Sequence, residues 1–446
     1  MTRPRFQCSA DGGNMTSNLS NLETRVLARI TEERWQKLAC ELIRTGQPRS
    51  GNPLDPDLPG AEEEAIAMLL AGKLEALGME VTTHEAVKHR PNVLGVLKGS
   101  RNGPSLMIND HLDTYPVMEP ERWDKTNYEP FEATRHGERL YARGTSDTRG
   151  NLAACLLAGQ ALIEEGVRFE GDLIYCFTVD EERNGTAGSI YLTRELGIRA
   201  DYSVTAEPTA WGGDTSNGSW GMNISVANSG HCLVEIAVEG SKSHIWRPDI
   251  SVNPVVEAAR LIPTLQAMSF THEPTALMGH TPPCTTIVRI RGGLEGEMQF
   301  SPAVCTITLA VVGIVPGMTM DTVLADINRT AETFLEGRND ITVSARQVPD
   351  SLFVEATEPS PVDEEPCVTL TEVYGRLMDG KQPEFNRKNA FNDTIRLREA
   401  GINAITFGPG EDGWAVDNEW ISIPKAVMAA RIYALTILGI LKGRAP

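Results

Sequence analysis

No run in the 446 residues approaches the roughly 20 uninterrupted apolar residues that a membrane span requires, so no membrane association is expected. Arg3 and Arg5 have no apolar stretch behind them. A secretory leader is therefore not expected, and Met1 to Ser20 reads as a loose polar tail with Met15 as an alternative start. The eight cysteines include no pair spaced for zinc, and Cys155 and Cys176 lie in apolar runs where cysteine acts as a small buried hydrophobe. That usage points to a reducing cytoplasm and away from a disulfide framework. Basic charge is scarce: 41 Lys and Arg against 60 Asp and Glu leave a net charge of −19. Such a field repels polyanions and excludes nucleic acid as an expected partner. Repeats and low-complexity blocks are missing as well. What is present is ordinary globular material, 41% hydrophobic and 23% charged. The length corresponds to about two or three domains.

Between Ser105 and Pro208, short apolar runs alternate with helical patterns, the mark of a mostly parallel sheet with crossover helices. Leu106–Asn109, Leu173–Val179 and Tyr202–Ala206 read as buried strands. Leu152–Glu165 and Glu62–Leu77 read as helices ended by Gly166 and Gly78, the second opened by acidic residues that suit the helix dipole. Trp211–Gly221, rich in Gly, Ser and Asn, reads as a hinge. After it come a strand (Leu233–Glu239), a helix (Val255–Met268), two strands (Thr285–Arg291, Val304–Val312), a helix (Asp321–Gly337) and a strand near Ile341–Ala345. That order is the split βαβ arrangement. A proline-rich acidic linker, Val348–Pro366, returns to helix–strand–helix style over Val368–Met378, Ala404–Phe407 and Pro424–Leu441. The fold class is α/β: a mixed, mostly parallel sheet flanked by helices, with an inserted ferredoxin-like α+β domain. The expected boundaries are 20–216 and 347–446 for the large domain and 217–346 for the insert.

Four polar clusters fall just beyond strand ends, where open α/β sheets place ligands. His111 and Asp113 follow the first strand, Asp147 precedes a helix, Asp180, Glu181 and Glu182 follow the third run, and Glu207 stands before Pro208. Singly, each has a plain explanation: an N-cap, a solvated turn, a satisfied histidine. Together they are a histidine and several acids at one edge of one sheet, and so many like charges at close range need a cation. Imidazole mixed with carboxylate suits manganese, zinc or cobalt better than calcium.

These clusters resemble the metallopeptidase family that includes aminoacylase, carboxypeptidase G and succinyl-diaminopimelate desuccinylase. The likeness runs from about Trp35 to Leu441. Its carriers are Asp110-His111-Leu112-Asp113-Thr114-Tyr115-Pro116, the Arg143–Asp147 motif, Glu181-Glu182, Glu207-Pro208-Thr209 and, in the small domain, Ser243-His244, Pro248 and Asn253. The resemblance implies that His111 and Glu207 ligate one metal, Asp147 bridges to a second, and Glu182 ligates that second ion. It implies further that Asp113 orients the imidazole and that Glu181 is the general base, taking a proton from the attacking water and passing it to the leaving nitrogen. His244 would stabilise the oxyanion, reaching over from a partner subunit's small domain. A homodimer, or an assembly of dimers, is accordingly expected.

Two departures stand beside the matches. The family's C-terminal histidine, shortly after Gly408-Pro409-Gly410, falls on Ala415, and the last histidine of the chain is His280. Asp417 or Glu411 could substitute, but a carboxylate there would add negative charge to an already acidic site. One divalent metal per chain is therefore expected. The arginine that clamps a peptide's α-carboxylate falls on Val312, which as a strand residue reads as core, and the family asparagine before it is Gln299. Arg289 or Arg291 would supply the charge from a neighbouring strand, or would be plain solvated residues. Trp246, Asn253, Arg289 and Asn392 are the candidate substrate contacts, and Trp211, Trp220, Trp246 and Trp414 stand where they would sandwich a flat ring or serve as hinge and core aromatics. Retention of Glu181 beside these losses points to altered chemistry. The expected activity is metal-dependent hydrolysis of a C–N bond in a small molecule, of the type that replaces an aromatic amine with hydroxide, as in the 5-nitroanthranilic acid aminohydrolase offshoot. The alternatives are an N-acyl amino acid deacylase or dipeptidase, and a non-catalytic binding or scaffold protein.

Overall fold

The computed structural model describes residues 19–45 and 63–445, apart from 118, 276, 278, 280, 294, 295, 297, 298, 411 and 412. The N-terminal tail through residue 18, the start at Met15 and Glu411 lie outside the described residues. In chain order the principal strands are β1 (Glu80–Val87), β2 (Arg90–Leu97), β3 (Leu106–His111), β4 (Leu173–Thr178), β5 (Tyr202–Thr205), β6 (Ile224–Asn228), β7 (Gly230–Glu239), β8 (Cys284–Gly292), β9 (Val304–Ile314), β10 (Thr342–Gln347), β11 (Phe385–Lys388) and β12 (Asn403–Thr406).

Eight of them form one sheet in the order β1-β2-β4-β3-β5-β12-β6-β11. Its centre, β4-β3-β5-β12, is parallel. β1 and β2 are antiparallel additions on one side, and β6 runs antiparallel to β12 on the other. Every residue of β3 and β4 is buried, as expected of strands covered by helices on both faces. The helix Gly150–Glu164 is buried from Gly150 through Leu162 but for Gln160, and packs against Ile423–Ile440. By length and composition alone Ile423–Ile440 would cross a membrane. Here it is a core helix: Ala426, Ala430, Ile437 and their neighbours join the large-domain core with Leu152, Leu156 and Phe177. Trp35 anchors a further helix, Glu32–Arg44, by donating its indole N–H to the Gly150 carbonyl.

β8-β9-β7-β10 form a second, antiparallel sheet. With helices Pro254–Ala267 and Met320–Phe334 it makes the expected ferredoxin-like insert, in strand order 2-3-1-4. Burial alternates along β7, so Cys232, Val234, Ile236 and Val238 face Leu261, Val323 and Ile327 of the helices. The chain enters this domain between Asn228 and Gly230, because β6 still pairs in the large sheet. Residue 217, where a hinge-composition reading puts the boundary, therefore lies within the large domain. The loop pairing of Ala210–Trp211 with Gly221–Met222 precedes the crossing. Arg387 ties the two crossings together, since one nitrogen donates to the carbonyls of Asn228 and Thr357.

Candidate metal centre and active site

Parallel strands carry the reactive side chains to one edge. β3 ends on His111, β4 leads into a turn opened by Asp180 in the left-handed region (φ 67°), and β5 leads to Glu207. The loop Thr145–Arg149 brings Asp147 in from the start of the core helix. Asp147 does not cap that helix: the N-cap position is Arg149, and no side chain caps the first turn. Its carboxylate turns inward, where Oδ1 lies 3.0 Å from His111 Nε2.

One donor atom each from His111, Asp147 and Glu182 lies within 4.8 Å of the others. His111 Nδ1 sits 3.1 Å from the Asp113 carbonyl oxygen and 3.4 Å from the Asp113 carboxylate, which places the ring proton on Nδ1 and aims the Nε2 lone pair at the cluster. The Asp113 carboxylate also accepts the backbone N–H groups of Glu181 (3.3 Å) and Glu182 (3.1 Å), fixing the turn that presents both glutamates. Glu181 Oε2 stands 3.8 Å from His111 Nε2.

The electrostatics of this cluster call for a cation. Burial pushes Glu181 and Glu182 well above the usual carboxylate range; repulsion from Glu207, Glu182 and Asp147 adds to it at Glu181, and from Asp147, Asp113 and Glu419 at Glu182. Burial alone would lower the His111 imidazole, but the Glu181, Asp113 and Asp147 carboxylates outweigh it and hold the ring proton well above the ordinary histidine value. Glu182 Oε1 and Glu207 Oε1 are buried without a hydrogen-bond partner. Buried lone pairs of this kind are costly unless something binds them. The donor set of one imidazole and several carboxylates therefore fits a divalent metal, with manganese, zinc and cobalt all accommodated.

Buried carboxylates behind the cluster hold it in place. Glu419 is fully buried; Oε1 accepts the N–H groups of Ser146 (2.8 Å) and Asp147 (3.0 Å), and Oε2 accepts from Arg143 (2.8 Å). Asp393 accepts from the hydroxyls of Thr178 and Ser189 (both 2.5 Å), locking the end of β4. Asn392 is buried and donates to Glu207 Oε2 (3.1 Å) and Thr406. It thus positions Glu207 and does not line the open space. The same Glu207 oxygen lies 3.2 Å from Lys388 Nζ.

A cavity of about 280 Å³ opens onto Asp147, Glu181, Glu182 and Glu207. Its other walls include Tyr115, Trp414 and Phe391 from the large domain and His231 and Val312 from the insert. Val312 is therefore a cavity wall and not core, which corrects the reading from strand pattern. Lys388, His231, Phe391 and Tyr115 were not legible as site residues from the sequence. Burial, with Arg396 nearby, lowers the His231 imidazole to about 4, so it is neutral at pH 7.

The expected substrate contacts sit elsewhere in the same chain. Asn253 caps helix Pro254–Ala267 by accepting from the Val255 N–H. Arg289 lies on the exposed face of β8. Trp246 is 81% exposed on the insert, and His244 stacks edge-on against Phe300 with its Nδ1 toward the Trp246 N–H. None of these four lines the cavity. Of the four tryptophans, Trp414 alone lines it: Trp211 is half-exposed, and Trp220 packs on the large core beside Lys381 and Lys425. Ala415 is held at its carbonyl by Arg143. Asp417 faces Arg122 (3.8 Å) and so does not replace a ligand.

The profile described as "Peptidase family M20/M25/M40" matches residues 107–439. The chain is 30% identical over 216 residues to a succinyl-diaminopimelate desuccinylase of Cupriavidus pinatubonensis, covering 46% of this chain and 53% of that protein. It is 33% identical over 154 residues to an N-formyl-4-amino-5-aminomethyl-2-methylpyrimidine deformylase of Bacillus subtilis, covering 34% and 35%. The chain thus spans about half, or less, of the length of these curated relatives. Human carnosine dipeptidase 1 shares the fold over 95% of this chain and 99% of that one, with a TM-score of 0.73 at 15% identity.

Proposed function

The chain belongs to the peptidase family M20/M25/M40, and from that premise we propose that it is a metal-dependent hydrolase of a carbon–nitrogen bond in a small molecule. The observation that carries the reading is the Glu181 carboxylate, buried at the cavity wall beside His111, Asp147 and Glu182. A buried acid with a raised pKa, whose nearest basic neighbour is His111 at 3.8 Å among the described residues, is matched to proton transfer near neutral pH.

His111 through Nε2, with Asp147, Glu182 and Glu207, would hold the metal. When bound, such an ion polarises the scissile group and makes water a better nucleophile. Glu181 takes the proton of the attacking water and returns it to the departing nitrogen. Asp113 keeps the His111 tautomer and the Glu181–Glu182 turn in place through the contacts described above. One metal per chain is the proposed load, because Ala415 offers no donor side chain and Asp417 faces Arg122.

Removal of an N-acyl group from a compact amine is the reading closest to the chemistry named for the two curated relatives. A second reading, hydrolytic deamination of an aromatic amine-carboxylate such as 5-nitroanthranilate, is favoured by the apolar Val312 in the cavity wall with Phe391 and Trp414 nearby. Both reactions add water to an electron-poor carbon and expel nitrogen, so the same residues serve both. Association of two copies through the insert, with His244 serving the partner's cavity, belongs to this proposal; it is supported by His244 lying outside its own chain's cavity. The test is turnover by manganese-loaded protein, scoring acid release from N-formyl, N-acetyl and N-succinyl amines and ammonia release from anthranilates. Product in either class supports hydrolysis and chooses between the readings. Failure in both, with metal bound, would favour the scaffold alternative.

A further inference from the structure

Among the described residues the cavity is lined by four carboxylates, Asp147, Glu181, Glu182 and Glu207, and by one ammonium, that of Lys388. An ammonium has three N–H donors. Lys388 spends two, on the Pro208 carbonyl (3.0 Å) and on Glu207 Oε2 (3.2 Å), leaving a third for whatever occupies the cavity. Its side chain is only 10% exposed, and the ring of Trp414 lies 5.6 Å from Nζ, so the charge sits in a confined, partly desolvated place. The neighbouring polar ring, His231, meets Phe391 edge-on and carries no competing charge at pH 7. Among the described residues, an anionic group entering this cavity meets repulsion from each charged side chain in the wall except Lys388.

We propose that Lys388 is the substrate's anion receptor, selecting small molecules that carry a carboxylate next to a flat or apolar body seated between Trp414 and Phe391. This deepens the hydrolase reading above and rests on it for the identity of the site. It makes Lys388 a specificity-determining residue: its charge, shared with Glu207, stands at the cavity wall where the insert contributes Gly230, His231 and Val312 and no charged side chain among the described residues.

The test uses benzoate and its neutral counterpart benzamide as probes, titrated calorimetrically into the full, manganese-loaded chain, with metal content measured on the same samples. The wild type is expected to bind benzoate at least tenfold more tightly than benzamide. Lys388→Met, compared at equal manganese content, should weaken benzoate by about ten- to a hundredfold while leaving benzamide unchanged. Lys388→Arg, which keeps the charge, should restore part of the preference; if Lys388→Met does not fold, Lys388→Gln is judged by the same criterion. A wild type indifferent to the carboxylate overturns the proposal. So does a neutral variant that keeps the preference, which would leave Lys388 as the counter-ion of Glu207 alone. Binding of these probes needs no turnover, so a failed hydrolase assay and a failed Lys388 assay are separate results.

Discussion

Glu419→Ala is the substitution whose cost the structure specifies most fully. It removes the acceptor of three donors at once: Arg143 Nη1 and the backbone N–H groups of Ser146 and Asp147. All of this is inside, with Glu419 and Ser146 at 0% exposure and Arg143 at 4%. Removing one partner of a buried ion pair costs about 3–5 kcal/mol, chiefly because the other charge is left unpaired. Each buried N–H left without an acceptor adds about 1–3 kcal/mol where water does not reach it. Arg143 keeps its weaker contact to the Ala415 carbonyl and its place near the Trp123 ring, which holds the total on the order of 5 kcal/mol. Set against the roughly 5–15 kcal/mol that holds a protein folded, this is severe, and for a chain of 446 residues corresponds to a melting point lower by about 5 °C. Glu419→Gln keeps both backbone bonds through its oxygen but turns an amide NH2 toward Arg143 and leaves that buried guanidinium without its counter-ion, so about 3 kcal/mol is expected. Because the lost bonds hold the loop that presents Asp147, manganese affinity should also fall about 10- to 100-fold in Glu419→Ala. Thermal unfolding of the metal-free chain by circular dichroism, with manganese titration of each variant, measures both. A Glu419→Ala chain that melts within about 1 °C of wild type and binds manganese as tightly would refute the reasoning.

Two further outcomes are expected. Glu181→Gln should lower turnover about 10²- to 10⁴-fold while retaining manganese, since it removes the proton acceptor and leaves the ligands; steady-state rates beside metal content check this, and an unchanged rate would remove Glu181 from the mechanism. His231 is held near 4 by burial and Arg396, below its unfolded value of about 6.5. Its contribution to stability is therefore complete above about pH 6.5 and is lost as pH falls toward 4, because the unfolded chain binds the proton more readily. Denaturant unfolding across that range should show a slope that shrinks in His231→Gln, and an identical slope in both proteins would contradict the burial assigned to His231.

The large sheet was legible because its strands are continuous apolar runs that end in polar residues. His111, Glu181, Glu182 and Glu207 follow β3, β4 and β5, and the carboxyl-end rule finds them. The insert was legible to within a few residues, from the switch between alternating and helical periods. Its entry point was not. Ile224–Asn228 has the composition of a strand in either domain, and the choice is made by distant partners, Phe385–Lys388 and Asn403–Thr406. Lys388 was missed for a related reason. It ends a strand of four residues, too short to stand out, and β11 shares the direction of β6, which opposes β12. Phe391 and His231 lie in no motif spacing, and Tyr115, though inside the His111–Asp113 motif, had no role assigned there; only tertiary packing assembles the three. Val312 was misplaced because alternation distinguishes the faces of a strand but not a core from a cavity wall. The burial of Glu419 beneath the Asp147 loop carried no sequence signal beyond an acid beside Trp420 and Ile421.

Metal stoichiometry per chain, measured after loading with manganese and desalting, tests the central claim most directly. One retained ion in the wild type and none in His111→Ala is the predicted result. A wild type that retains no ion, a count of two, or a His111→Ala chain that binds manganese like wild type would contradict it.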